Sequence, residues 1–323
     1  MSTEGAKHKT RIEILKFRDP DGSIARRLKA GAPISAPGIQ EGLIDEKVIH
    51  DNVLLNAGIN FLWTGFCGDA GFTPAYDHDN ACIGVGSDST GEVAAQTGLL
   101  AETLVEDCED AWDELVAANV TSETDAGDFV VGTKSAKITI AEGAGNGILV
   151  TEARASLDMH TVKYLALWIK SSVALDAGDL QILLDDHAEC VSPLKELNIP
   201  ALSSNTWTKV WLDLGDASSL TAIISIGLKM IVDKGAFIVR LDDVQATNTY
   251  WSPMDTDYPE FGTSQRARFR STFTSLQALF EWRELGISNK LGNHGTVLNR
   301  KTFNMGTKES GTTWTIMCEI TLT

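Results

Sequence analysis

Two carboxylates stand side by side in VRLDDV, Asp242 and Asp243, at the end of the last in a run of short strands. Carboxylates are hard oxygen donors of the kind Ca²⁺ takes. Joined by Glu109 and Asp110 from an earlier strand, they would make a structural calcium site. Two other clusters carry ligand-type residues: Asp77, His78 and Asp79 in AYDHDN, and Asp185, Asp186, His187 and Glu189 in LLDDHAEC. Both read as polar turns, and no two of the histidines form a metal-ligand pair. GVGSDSTGE lacks the GK[ST] ending of a phosphate loop, and GAGNG at 143–147 reads as a tight turn between strands. No GxSxG or HExxH occurs. Glycoside cleavage needs two carboxylates set across a groove, and the sequence nominates no such pair. The expectation is a protein that is not an enzyme, with no catalytic residue and no cofactor beyond the calcium.

Arg266, Arg268 and Arg270 recur at period two and so share one strand face, with Ala267 and Phe269 on the other. That face is either solvated or a subunit interface meeting the acidic stretch 102–114 of a neighbouring copy. The long arginine stems also suit covering apolar surface.

Strands must position these groups. Residues 11–17 alternate like a strand, Asp19-Pro20-Asp21-Gly22 signals a turn, and Ser23 to Leu28 reads as the returning strand of a hairpin. Residues 30–42 are rich in Gly, Ala and Pro and read as an extended arm. Leu55, Ile59, Leu62, Trp63 and Phe66 recur at helical spacing, with Asn56 as N-cap and Gly68 as stop. From about residue 106 the texture changes. Segments 136–141, 147–152, 163–170, 179–184, 207–214, 222–228 and 236–244 read as short strands separated by turns, the pattern of an antiparallel β-sandwich. Near residue 250 longer strands return. At the far end Trp314, Ile316, Cys318 and Ile320 fall on one face of a strand and Thr315, Met317, Glu319 and Thr321 on the other.

The fold expected is mainly β: a split host β domain with one or two short helices, interrupted by an inserted antiparallel sandwich of the jelly-roll kind. The boundaries read as 1–45 for an N-terminal hairpin and arm, 46–105 with 248–323 for the host domain, and 106–247 for the insertion. An insertion at a surface loop is well tolerated because domain termini often lie close together.

Composition narrows the partners. The net charge is −17, and no Lys or Arg occurs between Lys47 and Lys134. Nucleic-acid binding needs clustered basic residues, so none is expected. The first residues, MSTEGAKHKTRIEIL, hold no apolar run of the secretory kind, and the most apolar run, 220–232, is too short to span a bilayer. The five cysteines are scattered and form no CxxC pair, which suits buried thiols rather than a disulfide framework.

Two resemblances follow from longer stretches. SAKITIAEGAGNGILVTEARASLDM, KYLALWIKSS, IPALSSNTWTKVWLDL and FIVRLDDVQA resemble carbohydrate-binding-module-like jelly rolls. The resemblance implies a sandwich with a structural calcium near its last strand. It also makes Trp168, Trp207 and Trp211 candidates for a glycan platform, against the alternative that they are core. The flanking stretches VIHDNVLLNAGINFLWTGFCG, NACIGVGSDSTGEVAAQTGLLAET, YPEFGTSQRARFRSTFTSLQALFEWRELGISN and LNRKTFNMGTKESGTTWTIMCEITLT resemble structural proteins of tailed bacteriophages, of the head-decoration, neck or tail-fibre type. They imply a virion component, made in the host bacterial cytoplasm, that binds the major capsid protein or other virion proteins. A homo-oligomer is expected, with a trimer favoured, the arm reaching a neighbouring subunit and the sandwich projecting outward. The alternatives are a tail, neck or fibre component whose sandwich touches host-surface glycans and, of another class, a glycan-active enzyme.

Overall fold

The computed structural model describes residues 8–50, 53–56, 58–61, 74–116, 118–263 and 266–322. The chain divides into two compact units, one formed by Met1–Ala101 with Asn248–Thr323, the other by Glu102–Thr247.

The first unit contains β1 (His8–Arg18), β2 (Leu43–His50), β3 (Val53–Leu54), β4 (Cys82–Gly86) and, after the second unit, β16 (Thr249–Pro253), β17 (Glu260–Thr263), β18 (Arg266–Phe273), β19 (Glu281–Ser288), β20 (Val297–Thr307) and β21 (Thr312–Leu322). They form two antiparallel sheets, β17-β18-β21-β1-β2 and β16-β4-β19-β20-β3. Phe273 and Trp314 of the first sheet meet Trp282 of the second edge-to-face, at 4.9 and 4.6 Å between ring centres.

β21 is an inner strand. It pairs with β1 from His8↔Leu322 to Arg18↔Thr312, and on its other side with β18. Trp314, Ile316, Cys318 and Ile320 are buried, as the alternation requires, but so are Thr313, Thr315 and Met317. The strand was read as half-buried, and the structure covers its second face as well. The cover is a small apolar cluster of Leu15 and Phe17 with Ile24, Leu28 and Ile39.

That cover corrects two expectations. Ser23 to Leu28 is not a returning strand but helix α1 (Ser23–Lys29). The turn residue Asp19 makes it so: its carboxylate accepts from the N–H groups of Ile24 and Ala25 at 3.0 and 2.9 Å, satisfying first-turn donors that a helix leaves unpaired. Ile24, Ala25 and Leu28 then form the buried stripe. Nor do residues 8–45, the described part of the expected 1–45 hairpin and arm, stand apart from the host sheet. β1 lies between β21 and β2, and residues 30–42 pack back over the sheet through Ala32, Ile34, Ala36 and Ile39. The helix expected from Asn56 lies mostly outside the described residues.

The second unit, 102–247 against the 106–247 read from strand spacing, contains β5 (Glu102–Glu106), β6 (Asp113–Glu114), β7 (Val120–Asp125), β8 (Ser135–Ile140), β9 (Gly147–Leu157), β10 (Tyr164–Ser171), β11 (Leu180–Asp185), β12 (Lys195–Asn198), β13 (Thr208–Asp213), β14 (Ile223–Met230) and β15 (Phe237–Thr247). It is an antiparallel β-sandwich. One sheet runs β13-β10-β15-β8-β7, with β5 also paired to β15; the other runs β12-β11-β14-β9-β6. The chain crosses between sheets repeatedly, in jelly-roll fashion. Between them lies one apolar core, from Leu165, Leu167, Ile169, Val239 and Leu241 on one side to Ile182, Leu184, Ile226 and Leu228 on the other.

Candidate functional site

Strand register builds a face on the outside of the first sandwich sheet. On β10, Leu165, Leu167 and Ile169 enter the core, so Ala166, Trp168 and Lys170 point outward. On β13, Val210 and Leu212 enter the core. Trp168 pairs with Lys209 and Ala166 with Trp211, and Trp207 precedes the strand on the same parity. The three candidate tryptophans therefore share one outer face.

β15 adds polar groups through a bulge. Asp243 has φ 49°, in the left-handed region, and strand pairing shifts beside it. Strict alternation would send Asp242 and Asp243 to opposite faces. Instead Val239 and Leu241 point inward before the bulge and Val244 and Ala246 after it. Asp243 joins the outer face, where it takes Lys209 Nζ at 2.8 Å and Gln245 Nε2 at 2.7 Å.

The β7–β8 connection, 126–134, lies against this face. Asp128 accepts from Lys170 Nζ and from Trp207 Nε1, each at 2.8 Å, and sits 3.4 Å from Arg240 Nε. Val130 and Val131 donate their N–H groups to Asp242 Oδ2 at 2.7 and 3.0 Å. Burial opposes ionisation of Asp128, but the hydrogen bonds from Lys170 and Trp207 and the charge of Arg240 outweigh it and hold the carboxyl below its ordinary range. Trp168 is only 8% exposed and has Lys209 Nζ 5.7 Å from its ring centre. It is a floor rather than a stacking surface. Trp207 and Trp211 are partly exposed.

The calcium expectation meets a different donor set. Asp243 is engaged by Lys209 and Gln245, and Asp242 turns one oxygen to the Val130 and Val131 amides. Glu109 accepts from Thr133 and Lys134. The oxygens that converge, within 4.8 Å of one another, belong to Glu106, Asp107 and Asp110. An all-oxygen trio suits a hard cation.

Crowded carboxylates here give a testable pH dependence. Burial first, then the charges of Glu106, Asp110 and Asp113, push the Glu152 carboxyl up to about 7 from an ordinary 4.5. Between those values the folded unit holds a proton that the unfolded chain has lost, so this group makes stability fall as pH rises through the window. Glu152→Gln is expected to flatten that fall and to raise the sandwich's melting temperature above pH 7. Thermal unfolding across the window in chelator checks it; parallel profiles for the two proteins would refute it.

In the first unit the arginine stripe is resolved residue by residue. The three side chains do share a face. Arg270, however, is 1% exposed and is no interface residue. It donates to Asp255 Oδ2 at 2.8 Å, to the Leu28 carbonyl in the last turn of α1 and to the Ala32 carbonyl after it, with Tyr258 4.4 Å away, ring centre to guanidinium. Arg266 and Arg268 pair with Glu319, and Arg268 also with Glu260, inside their own sheet.

A second buried pair leaves no local mark in the sequence. Glu284 and Arg300, both fully buried, meet at 2.8 Å across β19 and β20. Burial pushes the Glu284 carboxyl up to about 7 against the opposing pull of Arg300. Glu284 also accepts from the Leu100 and Ala101 amides, while Arg300 donates to Thr90 O, Gln96 Oε1 and Asp88 Oδ1. The glycine-rich GVGSDSTGE is thereby explained without a nucleotide. A Cβ at Gly84 would strike the Trp251 ring and one at Gly86 the Glu284 carboxylate, and the following loop clamps Arg300.

No family profile and no curated protein matches the chain. Solved structures do. A family 30 carbohydrate-binding module is 14% identical, with 51% of this chain and 93% of that one covered, at TM-score 0.32. The CBM22-1 xylan-binding domain of Paenibacillus barcinonensis Xyn10C is 15% identical over 49% and 97%, at TM-score 0.31. The family 11 module of the Clostridium thermocellum cellulosomal cellulase Lic26A-Cel5E is 13% identical over 46% and 96%, at TM-score 0.31. At these scores the likenesses carry no argument about binding, and the fold statement rests on the strand topology above.

Proposed function

We propose that this chain is a non-catalytic structural protein of a tailed-phage virion, whose sandwich unit binds glycan on the face of β10 and β13. The observation that supports the glycan half is the register that sets Trp168, Trp207 and Trp211 on one face among Lys170, Lys209, Arg240, Asp128 and Gln245. Indole rings cover the apolar faces of sugars, and the flanking polar groups meet hydroxyls. Trp207 and Trp211 are the stacking rings, and Trp168 supports them. A structural Ca²⁺ belongs to this reading, held by Glu106, Asp107 and Asp110.

The virion half is supported by the resemblance of the flanking stretches. Residues from three of them, Gly86, Glu284 and Arg300, meet in one buried network. The first form of the proposal is a capsid decoration protein on the major capsid lattice, self-associated, with a trimer favoured. The tryptophan face favours the second form, a neck, tail or fibre component adhering to host-surface glycans. Copy number on a stained gel of purified virions separates a shell protein from a tail protein.

Trp211→Ala is expected to weaken binding to host-surface oligosaccharides by at least about tenfold, the cost of losing one stacked ring. Glycan-array binding of the full-length protein checks this. Array binding indifferent to both Trp207→Ala and Trp211→Ala would remove the glycan reading.

A further inference from the structure

We infer that the sandwich unit holds a divalent transition-metal ion of the zinc kind on Asp185, Asp186 and His187, where β11 runs into its connection to β12. The three residues bring a carboxylate oxygen, a second carboxylate oxygen and an imidazole nitrogen within 4.8 Å of one another. His187 Nδ1 lies 2.7 Å from Asp186 Oδ1 and 3.5 Å from Asp185 Oδ1. Ligand bonds of about 2.0–2.2 Å in a tetrahedral site put ligand atoms roughly 3.3–3.6 Å apart, so small adjustments admit an ion.

The second observation is the state of Asp185. Its side chain is fully buried at the end of β11. One oxygen accepts from the Ser192 amide at 2.9 Å, but Oδ1 accepts no hydrogen bond. Its charged neighbour is the His187 imidazole at 3.5 Å, and a buried carboxylate oxygen held only by so long a contact is costly. This one faces the imidazole. Asp186 and His187 are open to solvent, so an ion can enter and water can complete its shell. The backbone beneath is fixed: Ser225 Oγ donates to the His187 carbonyl at 2.6 Å, and the Cys190 amide donates to Ser225 Oγ at 3.2 Å.

Donor type selects the ion. A nitrogen with two carboxylates suits Zn²⁺, Co²⁺ or Ni²⁺ better than Ca²⁺ or Mg²⁺, which take oxygen ligands. The oxygen-only trio of Glu106, Asp107 and Asp110 has the opposite preference. LLDDHAEC reads as a turn because it follows a strand, and three ligands in consecutive positions match no spaced metal motif.

The test is calorimetric titration of chelator-stripped full-length protein with ZnCl₂, in a large excess of Ca²⁺ to fill the oxygen-only trio. One Zn²⁺ per chain is expected. His187→Gln, a change at an exposed side chain, is expected to weaken binding at least about tenfold, with the melting curve in chelator unchanged. Asp185→Asn is expected to weaken it similarly, and Co²⁺ should give the visible absorption of a nitrogen-and-oxygen site only in the protein with His187 intact. Zn²⁺ binding of equal strength in His187→Gln, or no binding by the unaltered protein, would overturn the assignment.

Discussion

A chain lacking residues 313–323 is expected to lose the first unit and keep the second. β21 has a partner on each side, so its removal opens the inner edges of both β1 and β18. Trp314, Ile316 and Cys318 leave the interior, and the Trp282 ring loses its edge-to-face partner. Each large apolar side chain buried contributes about 1.5–3 kcal/mol, against a total of ~5–15 kcal/mol for a domain. The other face suffers too. Thr313 Oγ1 donates to Asp19, the residue that caps α1, and Thr315 meets Thr272 beside Asp255. Two long unpaired edges favour aggregation. The sandwich has a core drawn entirely from its own residues, Val105 to Ala246, and is expected to fold without the rest. Thermal unfolding followed by near-ultraviolet circular dichroism checks this. The shortened chain should be insoluble or show only the sandwich's transition, and both transitions in a soluble shortened protein would contradict it.

Arg300→Ala is expected to destabilise the first unit by about 3–5 kcal/mol, because it leaves the Glu284 carboxylate buried without its cation. The same change releases the loop that Arg300 grips through Thr90, Gln96 and Asp88. Glu284→Gln should cost less, since an amide oxygen still accepts from the Leu100 amide and from Arg300 while the buried negative charge disappears. Urea unfolding of the two variants ranks them. A loss below about 1 kcal/mol for Arg300→Ala would mean that solvent reaches the pair.

The sandwich strands were legible because each is short, apolar at alternate positions and bounded by turn residues. The final strand was legible for the same reason. Its second buried face was not, since Thr315, Glu319 and Thr321 make that face look solvated, Met317 notwithstanding, until α1 is known to lie over part of it. That helix is hidden because Asp19-Pro20-Asp21-Gly22 also reads as a hairpin turn. The same four residues cap a helix when the Asp19 side chain turns onto the amides that follow. The arginine stripe shows the limit of periodicity: it groups side chains correctly but does not tell an open face from a roofed one. For the tryptophan face, parity puts Trp207 with Trp211, but only the pairing of β10 with β13 brings Trp168 beside them. The bulge at Asp243 leaves no clear mark in VRLDDV. Glu284, Arg300 and Asp88 come from segments too far apart for any local pattern to join them.

The pairing of β1 with β21 has a consequence in time. β2 can join one edge of β1 as soon as it is made, but on the other edge His8 faces Leu322 and Arg18 faces Thr312, so that edge waits until the second unit and the strands after it have been made. Closing so long a loop is entropically slow, and β2, nearer in the chain, covers only the opposite edge. The sandwich, whose core needs nothing beyond Ala246, can finish while the segments after it are still emerging. The molecule thus matures from its middle outward, and its most exposed moment on the ribosome is the interval in which a completed sandwich coexists with a β1 edge that β21 has yet to cover.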